Sequence, residues 1–172
     1  CSDGDPATAC TTWRAWSHFD VQHSKPGIVT YDITSTPVAQ YLYYVSGEGL
    51  LHAVDTNDGK EKWTFLIEEA LSQVSALKDD ASGEQLQIAD GSVVLYVDDH
   101  YNAANPASTG GDGIINGTDK VYLYFGLRRG GSTYYAIDIS NKDTPQFLWK
   151  IVGGMGVSGA GRICRGILAC VA

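Results

Sequence analysis

Oxygen-bearing side chains gather in the segment 98–119, and the chemistry they suit is calcium binding. Its second half, STGGDGIINGTD (108–119), fits the frame of a 12-residue calcium loop. Ser108 falls at position 1, Gly110 at 3, Asp112 at 5 and Gly113 at the turn position 6. The Ile114 carbonyl falls at 7, apolar Ile115 at 8, Asn116 at 9 and Asp119 at 12. Calcium takes six to eight oxygens, so such a loop must fold back on itself. Ser108 and Gly110 stand where acids are expected, and Asp119 is shorter than the usual Glu. Asp98, Asp99 or Asn102 would have to fill the gap from the other end of the loop. The competing reading is a plain Gly/Asn hairpin loop.

Other reactive residue types have weaker patterns. Cys1 lies near Cys10, and Cys164 near Cys170. Local pairs in even number suggest disulfides formed in an oxidising compartment. Four free thiols, or a metal site built from both ends, are the alternatives. No Cys-x-x-Cys spacing occurs, which argues against zinc. His18 and His23 flank Asp20, but acid–base work would need a third partner, and packing is the simpler role. Arg128 and Arg129 suit an anion or a partner carboxylate, or only a charged turn before Gly130-Gly131. Ser24 and Ser158 lack a nucleophile-elbow context. GGMGVSGAG (153–161) lacks the Lys-Ser/Thr ending of a phosphate cradle and reads as a flexible tail.

The composition is that of a globular domain: 44% hydrophobic and 19% charged over 172 residues. The net charge of −8 disfavours nucleic acid and anionic lipid as partners. No apolar run approaches the length of a membrane span. The chain does not begin with Met and shows no signal peptide, so it reads as a fragment or mature segment of something longer.

The elements that must carry these residues are short strands. Runs rich in Val, Ile, Tyr and Trp predict strands at 27–33, 40–46, 50–55 and 61–65. Turn signals separate them, among them Asn57-Asp58-Gly59. Within 50–55 the pattern places Leu51, Ala53 and Asp55 on one face, His52 and Val54 on the other. A second series follows at 92–97, 120–126, 133–139 and 146–151. Between the series, Ile67, Leu71, Val74 and Leu77 predict an amphipathic helix over 67–78. Trp13, Trp16 and Phe19 are expected to pack a lead-in loop onto the domain.

The two series match each other. YLYY (41–44) answers YLYF (122–125), HAVD (52–55) answers YAID (135–138), and Trp63 answers Trp149, at offsets of about 80–86 residues. A repeated four-stranded unit is the signature of propeller blades. The expected fold is therefore all-β: about two four-stranded antiparallel blades of a partial β-propeller, with a short helix between them. The expected division is a lead-in at 1–26, a first blade at 27–66, a helical connection at 67–91, a second blade at 92–151 and a tail at 152–172. Propellers close with four to eight blades, so further blades must come from a longer chain or from other chains.

LHAVDTNDGKEKW (51–63) resembles the tryptophan-docking motif of quinoprotein-type propellers. Asp55, Gly59 and Trp63 carry it in the first unit, and Asp138 and Trp149 in the second. The ordered strings HSKP (23–26), GLLHAVDTNDGKEKWTF (49–65), EEAL (68–71), ADGSVVL (89–95), DKVYLYFGLRRGG (119–131) and YYAIDISNKDTPQFLWKI (134–151) resemble the propeller of PilY/PilC-type proteins, found at the tips of bacterial type IV pili. Val93 stands where that family usually has Pro, and the tail GRICRGILACVA has no counterpart.

The resemblance implies a non-enzymatic module of a pilus biogenesis and tip-adhesin protein, at the cell surface or outer membrane and reached through the periplasm. It implies minor pilins and a host or abiotic surface as partners, and calcium as the modulating ion. Two alternatives remain at this stage. A quinoprotein dehydrogenase would need a quinone, calcium and a catalytic Asp, and often has vicinal cysteines, which are absent here. An outer-membrane assembly scaffold would bind barrel-assembly partners instead of pilins.

Overall fold

The computed structural model describes residues 20–73, 87–102, 104–105 and 110–153, and the backbone of 164–165. Cys1, Cys10, Trp13, Trp16, His18, Phe19, Ser108, Ser158 and Cys170 lie outside the described residues, as does the side chain of Cys164. The proposed disulfides therefore fall outside them too.

Alternation of large apolar and polar residues builds two antiparallel sheets. The first runs β1 (Gly27–Asp32), β2 (Ala39–Val45), β3 (Leu50–Asp55) and β4 (Glu61–Leu66), each strand beside the next. The second runs β5 (Val94–Asp98), β6 (Lys120–Gly126), β7 (Thr133–Asp138) and β8 (Gln146–Val152) in the same order. A short fifth strand, β9 (Cys164–Arg165), pairs with β8, so the second sheet has one strand more than expected. These consecutive antiparallel sheets, packed face on face, are two blades of a partial propeller.

The core lies between them. Tyr41, Tyr43 and Val45 of β2, with Leu51 and Ala53 of β3, bury one face of the first sheet. Val121, Leu123 and Phe125 of β6, with Tyr135 and Ile137 of β7, meet them from the second. Phe125 and Tyr135 stack with ring centroids 5.3 Å apart. His52 departs from the expected alternation. It is buried although it points away from this core, because a polar network described below holds it.

The internal repeat extends to irregularities. The pairing of β3 with β4 shifts register between Ala53 and Val54, and that of β7 with β8 shifts between Ala136 and Ile137. The bulges leave Trp63 opposite Ala53, and Trp149 opposite Ala136. A bulge re-aims the side chain beside it, so both tryptophans leave their strands at the same place.

The connecting helix is shorter than its periodicity predicts. Helix α1 spans Glu68–Leu71 only. Val74 and Leu77 lie outside the described residues. Ile67 is buried as its spacing predicts and Ala70 is buried beside it, whereas Leu71 is exposed. The backbone bonds Ala70 N–H to Ile67 O and Gln73 N–H to Ala70 O form tight turns in place of a continued helix.

Candidate functional site

The most developed constellation is the junction where the first sheet grips the turn between β7 and β8. Three donors from three strands reach that turn. The Tyr31 hydroxyl donates to the Ile139 carbonyl at 2.8 Å. The Tyr41 hydroxyl donates to Asp143 Oδ1 at 2.8 Å. The Trp63 indole Nε1–H donates to the Lys142 carbonyl at 2.7 Å. Tyr31 and Tyr43 hydroxyls are 2.7 Å apart. The single Tyr31 proton is used on Ile139, so Tyr43 donates to Tyr31. Burial first, then neighbouring tyrosines and Asp143, push the Tyr31 hydroxyl above the ordinary tyrosine range. The Asp143 carboxyl is held below its ordinary value by the Lys142 ammonium first and the Tyr41 hydroxyl second. Lys142 Nζ also sits 5.3 Å from the Tyr41 ring centroid.

Both aspartates of the blade motif cap their own turns. Asp55 Oδ1 accepts from Asn57 N–H at 2.9 Å, and Asp55 Oδ2 pairs with Lys62 Nζ at 3.3 Å. Gly59 holds φ at 67°, which suits a residue without Cβ, and its N–H closes onto the Asp55 carbonyl. In the second unit Asp138 Oδ1 accepts from Ser140 N–H and Oγ.

Three motifs far apart in sequence converge at a second junction. Buried Asp90, of the ADGS string, accepts from Arg128 Nη1 at 3.1 Å and lies 3.0 Å from His23 Nδ1. Arg129 Nε is 3.8 Å away. Ser92 Oγ accepts from Lys25 N–H and donates to the His23 carbonyl. The strings HSKP, ADGS and LRRGG are thus one tie between the lead-in, the approach to β5 and the β6–β7 turn. Arg128, Arg129 and His23 gather around this internal carboxylate. Ser24 Oγ accepts from Val45 N–H and is likewise structural. The EEAL string works the same way. Tyr135 Oη accepts from Glu68 N–H and donates to Glu69, while Lys150 pairs with Glu68.

The 98–119 loop reaches back to the first sheet. Gly113 O accepts from Ile33 N–H at 3.2 Å, Ile115 N–H donates to Tyr31 O at 2.8 Å, and Asp32 bridges to Ile114. The loop thereby covers part of the open edge of β1. Gly113 has φ 77°, and a Cβ there would lie 2.4 Å from Ile33 Cδ1.

The loop's carboxylates face its own backbone. Asp119 accepts from His100 N–H (3.0 Å), Tyr101 N–H (2.6 Å) and Asn116 N–H (3.1 Å). Burial pushes its carboxyl up, but these backbone donors and nearby His100 outweigh that and hold it below the ordinary value. Asp99 accepts from Asp112 and Gly113 N–H, and Asp112 from Ile114 N–H. The Ile114 carbonyl accepts from Asn116 Nδ2. Among the described residues, no three His, Cys, Asp or Glu side chains are grouped so as to hold a metal ion. Oxygen donors of this kind are the type that calcium takes.

One arrangement had no signal in the sequence. Ser46 Oγ lies 2.9 Å from His52 Nε2, and His52 Nδ1 lies 2.6 Å from Glu61 Oε2. This is the order of nucleophile, base and orienting acid. Yet Ser46 is fully buried, its hydroxyl also lies 3.2 Å from Glu48 Oε1, and Tyr44 stacks on the imidazole at 4.8 Å. A nucleophile must be reached by its substrate, so this network fixes the β2–β3 hairpin.

Sheet order, matching bulges and the Trp63 contact with the neighbouring turn are those of a pair of propeller blades. No family model matches the chain. It is 29% identical over 121 residues to the type IV pilus biogenesis factor PilY1 homolog of Xylella fastidiosa (strain Temecula1 / ATCC 700964). The match covers 67% of this chain and 8% of that protein's length. The crystal structure of the Pseudomonas aeruginosa PilY1 C-terminal domain aligns with TM-score 0.42 and 24% identity, over 66% of this chain and 19% of that one. No helix among the described residues is long and apolar enough to cross a membrane.

Proposed function

We propose that this chain is a non-enzymatic propeller module of a type IV pilus biogenesis protein, acting at the cell surface through contacts with pilus subunits. The observation that carries the reading is the ordered motif set, together with the sequence match to a PilY1 homolog. The packing gives that set a physical reason, because HSKP, EEAL, ADGS and LRRGG all tie one part of the two-blade unit to another. A rigid unit of this kind suits binding and assembly. Minor pilins and a host or abiotic surface are the partners this reading names.

The test is genetic. In a bacterium that encodes the parent protein, removing its gene should abolish surface pili. The wild-type gene should restore them, while a Tyr31→Phe/Trp63→Ala gene, which breaks the grip on the second blade, should restore them poorly. Normal piliation without the gene would refute the proposal.

A calcium role at the 98–119 loop belongs to the same proposal and rests on the loop's oxygen chemistry. Extracellular calcium modules bind at about 10⁻⁴–10⁻³ M. Calorimetric titration should show saturable binding in that range, weakened by Asp112→Asn. Heat no different from buffer dilution would remove calcium from the reading.

A further inference from the structure

The turn that joins β2 to β3 anchors both ends of the connection between the sheets. Gly49 O accepts from Ile67 N–H at 3.1 Å, where the chain leaves the first sheet. Gly47 O accepts from Ile88 N–H at 2.8 Å, where the chain comes back toward β5. Gly47 N–H also donates to the Asp20 carbonyl of the lead-in at 3.1 Å. Whatever fixes residues 46–50 therefore fixes three segments at once. The side chains that fix them are Glu48, Ser46, His52 and Glu61, linked in that order.

Counting protons along this chain fixes the state of His52. Its Nδ1 lies 2.6 Å from Glu61 Oε2, and an ionised carboxylate only accepts, so Nδ1 carries a proton. Ser46 has one hydroxyl proton, within reach of Glu48 Oε1 at 3.2 Å and of His52 Nε2 at 2.9 Å. The Leu50 carbonyl, 3.4 Å from the hydroxyl, already accepts from Ser46 N–H. Glu48 is buried, and a buried carboxylate without a donor is costly, so the hydroxyl proton goes to Glu48. Nε2 must then donate to Ser46 Oγ, which protonates both ring nitrogens. The surrounding charges agree. Glu48 Oε1 is 3.8 Å from Nε2, and among the described residues no Lys or Arg pairs with Glu48 or Glu61. Tyr44 of β2 stacks on the imidazole at 4.8 Å, and burial first, then Glu61 and Glu48, push its hydroxyl above the ordinary value, so it stays neutral. Thr64, opposite His52 on β4, does not titrate.

We propose that His52 is held as a buried imidazolium between Glu48 and Glu61, and that its proton is a pH-sensitive latch that keeps the β2–β3 turn closed on Ile67 and Ile88. Two carboxylates around one imidazole favour its charged form, so the folded protein binds this proton more tightly than the unfolded chain does. The stabilisation is complete below the ordinary histidine value and is lost as pH rises through the higher folded one. Loss of the proton leaves Ser46 with one hydrogen for two acceptors, and either Nε2 or Glu48 is orphaned inside the turn. The proposal concerns how the turn is held and does not rest on the pilus reading.

The test is a pH titration by NMR of the chain carrying ring-labelled histidine, with His52→Gln assigning the His52 signals. At neutral pH both His52 ring nitrogens should show the shifts of a protonated imidazole. The midpoint should lie at least about one pH unit above the ordinary value of about 6.5. A single protonated nitrogen at neutral pH, or a midpoint at or below about 6.5, would overturn the proposal. Glu48→Gln should lower the midpoint. Should that buried variant fail to fold, half-exposed Glu61→Gln should lower it as well, and an unchanged midpoint there would count equally against the proposal. The latch itself is read by amide exchange. As pH rises through the His52 midpoint, exchange at Ile67 and Ile88 should accelerate at least about tenfold relative to the Ile139 amide, which bonds to Val121 O far from the turn. In Glu61→Gln this acceleration should move to lower pH together with the midpoint. Exchange that stays parallel at all three amides would overturn the latch.

Discussion

Tyr31→Phe tests the inter-blade grip at its centre. The hydroxyl relay runs from Tyr43 to Tyr31 to the Ile139 carbonyl, with both tyrosines nearly or fully buried. Removing the middle hydroxyl strands both ends: the carbonyl loses its donor, and Tyr43 loses its acceptor. A buried polar group left without a partner costs about 1–3 kcal/mol, so two orphans place Tyr31→Phe at about 2–4 kcal/mol. Tyr43→Phe removes only the outer donor, while Tyr31 keeps its bond to Ile139. Its cost should be that of one ordinary hydrogen bond, about 0.5–1.5 kcal/mol. The double variant removes the hydroxyl that Tyr31→Phe had orphaned, so it should be no less stable than Tyr31→Phe alone. Urea unfolding of the four proteins, read with the denaturant slope held common, gives the cycle. At about 2–4 °C per kcal/mol for a chain of this size, the ranking is also visible in thermal midpoints. Additive costs, or a Tyr31→Phe loss no larger than that of Tyr43→Phe, would refute the relay.

Three other outcomes follow from the same geometry. Asp119→Asn replaces an oxygen with an N–H donor facing either Asn116 N–H or the His100 and Tyr101 N–H groups; stability should fall by about 1–3 kcal/mol, and amide exchange at 100, 101 and 116 should accelerate. Gly113→Ala should destabilise by at least about 1 kcal/mol, because the added Cβ meets both a positive φ and the Ile33 side chain; denaturant titration reads it. The carboxyls of Asp55, Asp119 and Asp143 are all held below their ordinary value of 3.8. Their stabilisation is therefore complete above the unfolded value and lost as pH falls through the lower folded values. The unfolding midpoint should be flat for these groups above about pH 5 and fall toward pH 2, and Asp143→Asn should flatten part of that acid limb.

The sequence alone determined the strands and the repeat. Alternation of Tyr, Leu and Val at 41–45 and 121–125 is a local signal, because side chains alternate across a pleated strand whatever the strand packs against. All eight expected strands form, with ends within a residue or two of the pattern. The motif strings were equally legible, and their order resembles that of the PilY/PilC-type propeller. Leu71, Val74 and Leu77 keep helical spacing, and the helix described, α1, spans Glu68–Leu71. Burial of Ile67 and Ala70 against the first sheet, with turns closing at Ala70 and Gln73, limits the described helix to one turn.

Tertiary structure decided what the motifs are for. Asp90 sits 67 residues from His23 and 38 from Arg128, so no local pattern could show that they share one carboxylate. The calcium frame at 108–119 was read from residue order. Whether its carboxylates converge on an ion or turn onto backbone amides depends on the fold of the loop against β1, and for Asp119 the amides hold it. Spacing along a chain sets which residues can share a face, and only the packing of one sheet on another sets which faces remain open.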